Sequence, residues 1–303
     1  NESGIPVVAK VDDKASVLDE LRRFNKFIRP SDNRLRPEVS FHGKTGVILF
    51  GLIDQASNQL TPAPTLDSCL RNAWVFEIYQ HGKRPQDLVG IIENAISKLE
   101  QLNRLRCVAP EFISFAAPVS SALRAAEASG LAFHENRSLQ MVRTKAEMTF
   151  DKMKICATVH GDIHLRNILV RGSGEAHLVD YALSGPGHPA IDLVRLECCL
   201  FTTVFRAFGQ EYLLIELQKY LNMPDKTFDS LPDSFVDILH WEINQVAVRG
   251  AFACRDAALR VLQHYGGGLA DYLAVKCLVG WTGLILLDQQ VSSCRAIISA
   301  ITL

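Results

Sequence analysis

The sequence predicts an α+β chain of two lobes, a small β-rich N-lobe followed by a large, mainly helical C-lobe. Three observations carry that expectation. Strand-like apolar runs crowd into the first 54 residues. A turn-rich stretch follows over 55–66. Beyond it, apolar residues recur at helical spacings to the C-terminus, interrupted by one β-rich island from Ile155 to Tyr181. The 303 residues suit about two domains at roughly 150 each.

Within the small lobe, Ile5–Val11 is β-rich. Ala15–Ile28 places Val17, Leu21, Phe24, Phe27 and Ile28 three and four residues apart, a helix with one apolar stripe. Gly46–Ile53 is a continuous apolar run of strand length, expected to be buried on both faces. The Pro, Thr, Ser, Asn and Gln of the next stretch read as a hinge. The expected boundaries are therefore 1–54 for the N-lobe, 55–66 for the hinge and 67–303 for the C-lobe. In the C-lobe, Pro85–Leu102 opens on Pro and an acid and repeats Leu88, Ile91, Ile92, Ala95, Ile96, Leu99 and Leu102. Both opening residues suit a first helical turn. The island holds three short strands, Ile155–Val159, Ile168–Val170 and Ala176–Val179. Helices resume at Ile191, and Gly266–Gly268 breaks the last of them.

A composition of 48% hydrophobic and 21% charged residues excludes disorder, collagen and coiled coil. Lys and Arg number 32 against 33 Asp and Glu. Sequence-independent binding of nucleic acid needs a cationic excess, so no nucleic-acid partner is expected. The cysteines at 69, 107, 156, 198, 199, 254, 277 and 294 form no C-x-x-C pair, which favours buried thiols in a reducing compartment. The uncharged apolar stretch near the end, Leu278–Leu287, is far shorter than the roughly 20 residues that cross a bilayer. The N-terminal Asn-Glu-Ser-Gly has neither a basic nor an apolar leader segment. No membrane partner and a cytoplasmic location are expected. The first residue is not Met, so the sequence reads as part of a longer parent chain with room for further domains.

Chemistry concentrates in Val159-His-Gly-Asp-Ile-His-Leu-Arg-Asn-Ile-Leu-Val170 and in Leu178-Val-Asp-Tyr181. Asp162 and Asn167 lie in a loop between two short strands, and Asp180 ends a third. A hairpin of the second and third strands would bring Asn167 and Asp180 together. Two hard oxygen donors at a cleft suit Mg²⁺ held between protein and phosphates. His160, Asp162 and His164 could instead form the metal cluster of a hydrolase. That needs an extended strand and further ligands such as Asp180 and His188, whose spacing nothing fixes.

The run His160-Gly-Asp162-x-x-x-x-Asn167, then Asp180, then Gly187-His-Pro-Ala-Ile-Asp192-Leu, resembles the aminoglycoside phosphotransferase and choline kinase group, relatives of protein kinases. The resemblance covers residues 155–197 and implies a two-lobed, protein-kinase-like fold. It implies that Asp162 is the catalytic base accepting the proton of an acceptor hydroxyl, and that Asn167 and Asp180 hold Mg²⁺ against the phosphates of ATP. His160 and Asp192 would be structural, Asp192 bracing the catalytic loop from the start of the next helix. His164 stands where protein kinases carry a Lys toward the transferring phosphate, so it either donates a hydrogen bond there or orients the loop. Arg166 reads as a solvated charge. The acceptor is left open.

Such a site also needs a Lys on a strand, held by a Glu on a nearby helix. Lys10 is a lone cation in Val7–Val11, and strand periodicity puts Val8 on its face, over the adenine. Helical periodicity places Glu20 on the apolar stripe and turns Asp19 away, so Lys10 and Glu20 are each other's expected partners. The segment from Phe50 to Asp54, with Leu52 and Asp54, would meet the adenine edge. Two features depart from the family pattern. Only Gly4 lies upstream of Lys10, so the Gly-rich phosphate loop either precedes this sequence or is lacking. His188 stands before Pro189, where the family commonly has Asp. The reading is an ATP- and Mg²⁺-dependent phosphotransferase acting on a hydroxyl of a small molecule or a protein. The alternative is a kinase-shaped regulatory module of a larger protein that binds nucleotide or a partner.

Overall fold

The computed structural model describes residues 7–29, 37–51, 63–79, 87–113, 153–204 and 211–286. Strand β1 (Val7–Asp13) leads into helix α1 (Lys14–Arg23), whose start is set by Asp13. The Asp13 carboxylate accepts the amide protons of Ala15 and Ser16 at 2.9 and 3.0 Å, satisfying donors that a first turn leaves orphaned. The helix runs on through a wider π turn over Phe24–Ile28. Strands β2 (Pro37–His42) and β3 (Thr45–Gly51) complete an antiparallel sheet of order β1-β3-β2, with Lys10 opposite Ile48 and Val8 opposite Phe50.

Helix α1 packs on one face of this sheet, where Val17, Phe24 and Ile48 are fully buried. The expected two-sided burial of Gly46–Ile53 is therefore corrected. Gly46 and Ile48 are buried, Val47 and Leu49 only half so, and Val11 on the neighbouring strand is 66% exposed. A three-stranded sheet with one helix against it buries alternate residues only.

The larger part is helical: α2 (Leu66–Tyr79), α3 (Leu88–Asn103), α4 (Ile191–Cys199), α5 (Glu211–Leu221), α6 (Val236–Leu239), α7 (Glu242–His264) and α8 (Leu269–Leu286). Helix α3 begins at Leu88 with Asp87 as its cap, accepting from Gly90 at 3.0 Å; Pro85 lies outside the described residues. Its buried stripe of Ile91, Ile92, Ala95, Ile96 and Leu99 packs against α7, the longest of the described helices. Helices α7 and α8 are separated at Gly266–Gly268, as expected. No helix among the described residues is long and apolar enough to cross a membrane.

Between these helices lie two small sheets. The expected strands of the island appear as β5 (Met153–Val159), β6 (Ile168–Val170) and β7 (Ala176–Leu178), and β6 pairs antiparallel with β7. The structure adds β4 (Arg106–Ile113) and β8 (Gly185–Gly187) on either side of β5. The Gly-Pro-Gly of β8 carries no apolar signature. It is shaped by β5, since a Cβ on Gly187 would lie 2.5 Å from a methyl of Val159. Of the expected hinge, only 63–66 is described. Pro64 accepts the Val170 amide proton at 2.8 Å, Thr65 bridges to Leu169, and Leu66 starts α2.

Candidate active site

The loop after β5 is fastened from α4. Asp192, in the first turn of that helix and fully buried, accepts the amide protons of His160 at 2.7 Å and Gly161 at 3.0 Å. The side-chain amide of Asn103 donates to the same carboxylate at 2.9 Å. Three N–H donors and the positive end of a helix suit an ionised carboxylate out of water. One turn further along α4, the Arg195 guanidinium donates to the Gly161 carbonyl. Gly161 has φ of +85°, and a Cβ there would lie 2.3 Å from the Leu183 carbonyl oxygen, so only glycine fits.

His160 is fully buried, and burial holds its imidazole below the ordinary pKa against the pull of Asp192. Its Nε2–H donates to the Val179 carbonyl at 3.0 Å, and its Nδ1 takes a long contact of 3.4 Å from the Asp162 amide. Both ring nitrogens face inward, so the alternative hydrolase cluster loses its first ligand. No group of three or more His, Cys, Asp and Glu suited to a metal gathers among the described residues.

Asp162 follows, its carboxylate 45% exposed. The chain then makes a 3₁₀ turn over Leu165–Asn167. Asn167 is buried and donates through Nδ2 to the Asp162 carbonyl at 2.9 Å, which fixes the amide and leaves Oδ1 as its acceptor. The hairpin brings Asn167 beside the end of β7: the Val179 amide donates to the Asn167 carbonyl at 3.0 Å. Asp180 comes next with φ of +64°, a left-handed conformation that Asp tolerates better than most residues. An amide oxygen and a carboxylate at one hairpin base are hard donors of the kind that would hold Mg²⁺.

The expected ion pair of the small lobe is present and has a third member. Lys10 Nζ lies 2.9 Å from Glu20 Oε2 and 2.7 Å from Asp180 Oδ1. Burial alone would lower the Lys10 pKa, but the hydrogen bonds and charges of Asp180 and Glu20 outweigh it and hold the ammonium above its ordinary value. Burial raises the Glu20 carboxyl, with Lys10 pulling the other way. Asp19 is half-buried and pairs with Arg23 at 2.7 Å instead. Val8 sits two residues before Lys10 on β1; Leu52 and Asp54 lie outside the described residues.

Other neighbours escaped the sequence reading. The Phe24 and Tyr181 rings lie 5.5 Å apart, and Tyr181 stands 4.9 Å from His160, a column of rings from the π turn after α1 to the loop. Phe24 was visible on the apolar stripe of α1; nothing marked Tyr181 or Arg195. His164 Nε2 is 4.0 Å from Asp162 Oδ2, and its Nδ1 is buried with no hydrogen-bond partner among the described residues. Arg166 is exposed. The departure at His188 is absorbed without charge. Burial pushes this imidazole down to about 4, and its Nδ1 accepts the Ala190 amide proton at 3.3 Å ahead of α4.

A family model described as the phosphotransferase enzyme family (APH) matches residues 76–229, just over half of the chain. Among solved structures, a glucosamine kinase in complex with glucosamine, ADP and inorganic phosphate matches with a TM-score of 0.50 and 11% identity, over 95% of this chain and 72% of that one. An aminoglycoside-3'-phosphotransferase of type VIII matches at 0.38 and 13%, over 97% and 84%. A Plasmodium vivax ethanolamine kinase matches at 0.40 and 10%, over 98% and 76%. No curated protein matches.

Proposed function

Since the chain belongs to the phosphotransferase enzyme family, we propose that it moves the γ-phosphoryl group of ATP, with Mg²⁺, onto a hydroxyl of a small molecule. The observation that carries this reading is the Lys10 ammonium held between Glu20 and Asp180, at 2.9 and 2.7 Å, beside the Asp162–Asn167 loop.

Phosphoryl transfer asks a protein chiefly for positioning and charge stabilisation. Lys10 grips the nucleotide phosphates, and Glu20, buried against it, fixes its direction. Asn167 Oδ1 and the Asp180 carboxylate would hold Mg²⁺, which would supply charge neutralisation at the phosphates. Asp162 accepts the proton of the acceptor hydroxyl as its oxygen attacks the γ-phosphorus and ADP departs. Asp192, Arg195 and Asn167 support the loop that aims it, through the backbone bonds of residues 160–162. His164, beside Asp162, is assigned to the transferring phosphate or to loop orientation. The nucleobase is assigned to Val8 and to the chain around Leu52 and Asp54, on order along the chain alone. Glucosamine kinase, the fold neighbour bound to an amino sugar and ADP, illustrates the class of acceptor and donor intended. No observation among the described residues favours the alternative of a regulatory binding module.

Asp162→Asn tests the assignment. The substitution keeps size and hydrogen bonding but removes the base, so turnover of γ-labelled ATP should fall by about 10²–10⁴-fold while Mg²⁺·ATP affinity is nearly unchanged. With no known acceptor, background ATP hydrolysis serves as the assay. Full turnover in the variant would show that Asp162 is not the base. Wild type that binds ATP and transfers phosphate to no acceptor and not to water would favour the binding module.

A further inference from the structure

Helix α1 meets the segment that begins at Asp180 through Glu20, which belongs to the nucleotide site, and again through a residue that does not. Glu20 reaches Asp180 through Lys10. Three residues on, hence on the same face of the helix, Arg23 crosses to the same segment, its NH1 donating to the Ser184 carbonyl at 3.2 Å. Its Nε is held by Asp19 Oδ2 at 2.7 Å, so the planar guanidinium is aligned by one oxygen and presented to another. Ser184 is fully buried and passes the contact inward. Its hydroxyl donates to the His160 carbonyl at 3.1 Å, and its amide donates to the Tyr181 carbonyl at 3.0 Å. A chain of bonds thus runs from the surface of the small lobe, Asp19 to Arg23 to Ser184, into the peptide two residues before Asp162.

We propose that Arg23 is a positioning residue for phosphoryl transfer, locking α1 to the loop 181–185 so that the seating of Glu20 on Lys10 and the setting of the Asp162 loop are one event. The proposal rests on the reading of the cleft as a phosphotransfer site. The Arg23 and Asp19 side chains are 39% and 45% exposed, and pairs that open to water contribute little to stability. A contact of that kind earns its place through geometry: misplacement remote from the reacting atoms costs up to about 10²-fold in rate.

The experiment compares Arg23→Gln, Arg23→Lys and wild type by three readouts: turnover of Mg²⁺·ATP with water as acceptor, hydrogen exchange of the nucleotide-free full chain, and its thermal melting. In Arg23→Gln, kcat should fall about 10- to 100-fold while KM for ATP and the melting temperature stay nearly constant. Exchange should quicken at residues 160–162 and 181–185 and stay unchanged in α7. Arg23→Lys, which keeps the charge and a donor for Ser184 but cannot fork to Asp19, should recover part of the rate. Unchanged kcat in Arg23→Gln overturns the proposal, as does a loss that merely tracks a lowered melting temperature. If wild type neither binds nor turns over ATP, the site reading fails and the catalytic role of Arg23 fails with it. The exchange readout then shows separately whether the mechanical link exists.

Discussion

Two lysines in this molecule each sit among oxygens drawn from distant segments, and their surroundings differ completely. Lys276, on α8, is fully buried beside a fully buried Glu197 on α4, 2.6 Å away. Asn222 lies 2.7 Å and the Tyr272 hydroxyl 3.3 Å from the same ammonium, and that hydroxyl donates to the other Glu197 oxygen at 2.7 Å. Lys10 lies at the cleft with 30% of its side chain exposed, facing Asp180 with 36% exposed and Glu20 with 1%. The first cluster balances one cation against one carboxylate where no water can substitute for either. The second sets one cation against two carboxylates at an open edge, leaving negative charge to spare. A sealed, neutral pair fastens helices together. An open, over-supplied one can trade partners, and a metal–nucleotide complex is the trade that its chemistry suits.

That contrast can be broken at its firm end first. Lys276→Met keeps the length of the side chain and strands Glu197 in the core. Removing one member of a buried pair typically costs about 3–5 kcal/mol, so urea unfolding should show a loss of that order. Nucleotide affinity should not change in the protein that remains folded. A loss below about 1 kcal/mol would mean that Glu197 is relieved by protonation or water, and the two clusters would then not differ in kind.

At the exchangeable end the effects are smaller in stability and visible in binding. Glu20→Ala frees Lys10 from its buried guide, and hydrogen bonds to charged groups of roughly 1.5–3 kcal/mol correspond to about 10- to 100-fold in affinity for Mg²⁺·ADP. The melting temperature should move little, because the variant also removes a carboxylate that burial disfavours. Asp19→Ala, whose described partners are Arg22 and Arg23, should stay within about threefold in nucleotide affinity, as exposed pairs do. Equal effects from the two substitutions would contradict the assignment of Glu20.

The sequence was most informative where the chemistry is contiguous. His160 to Asn167 and the two strands that follow are joined by short connections, so spacing alone brings Asn167 to Asp180, and the hairpin confirms it. Helical period chose Glu20 over Asp19 because a carboxylate on an apolar stripe must find a cation. What stayed hidden lies between segments far apart in the chain. No pattern joins residue 10 to 180, or 23 to 184, or 195 to 161. Nor could composition reveal β8, whose Gly-Pro-Gly is extended only because β5 receives it. The error over β3 has the same origin: an apolar run shows what could be buried, while the number of layers around it decides what is.

The claim that the cleft lysine trades partners is tested most directly by calorimetric titration of ATP, with and without Mg²⁺, into wild type and Asp180→Ala. The account predicts tighter binding to wild type when Mg²⁺ is present, and no Mg²⁺ increment in Asp180→Ala, with both proteins unfolding at nearly the same temperature. No ATP binding to wild type under either condition, or a full Mg²⁺ increment retained in Asp180→Ala, would contradict it.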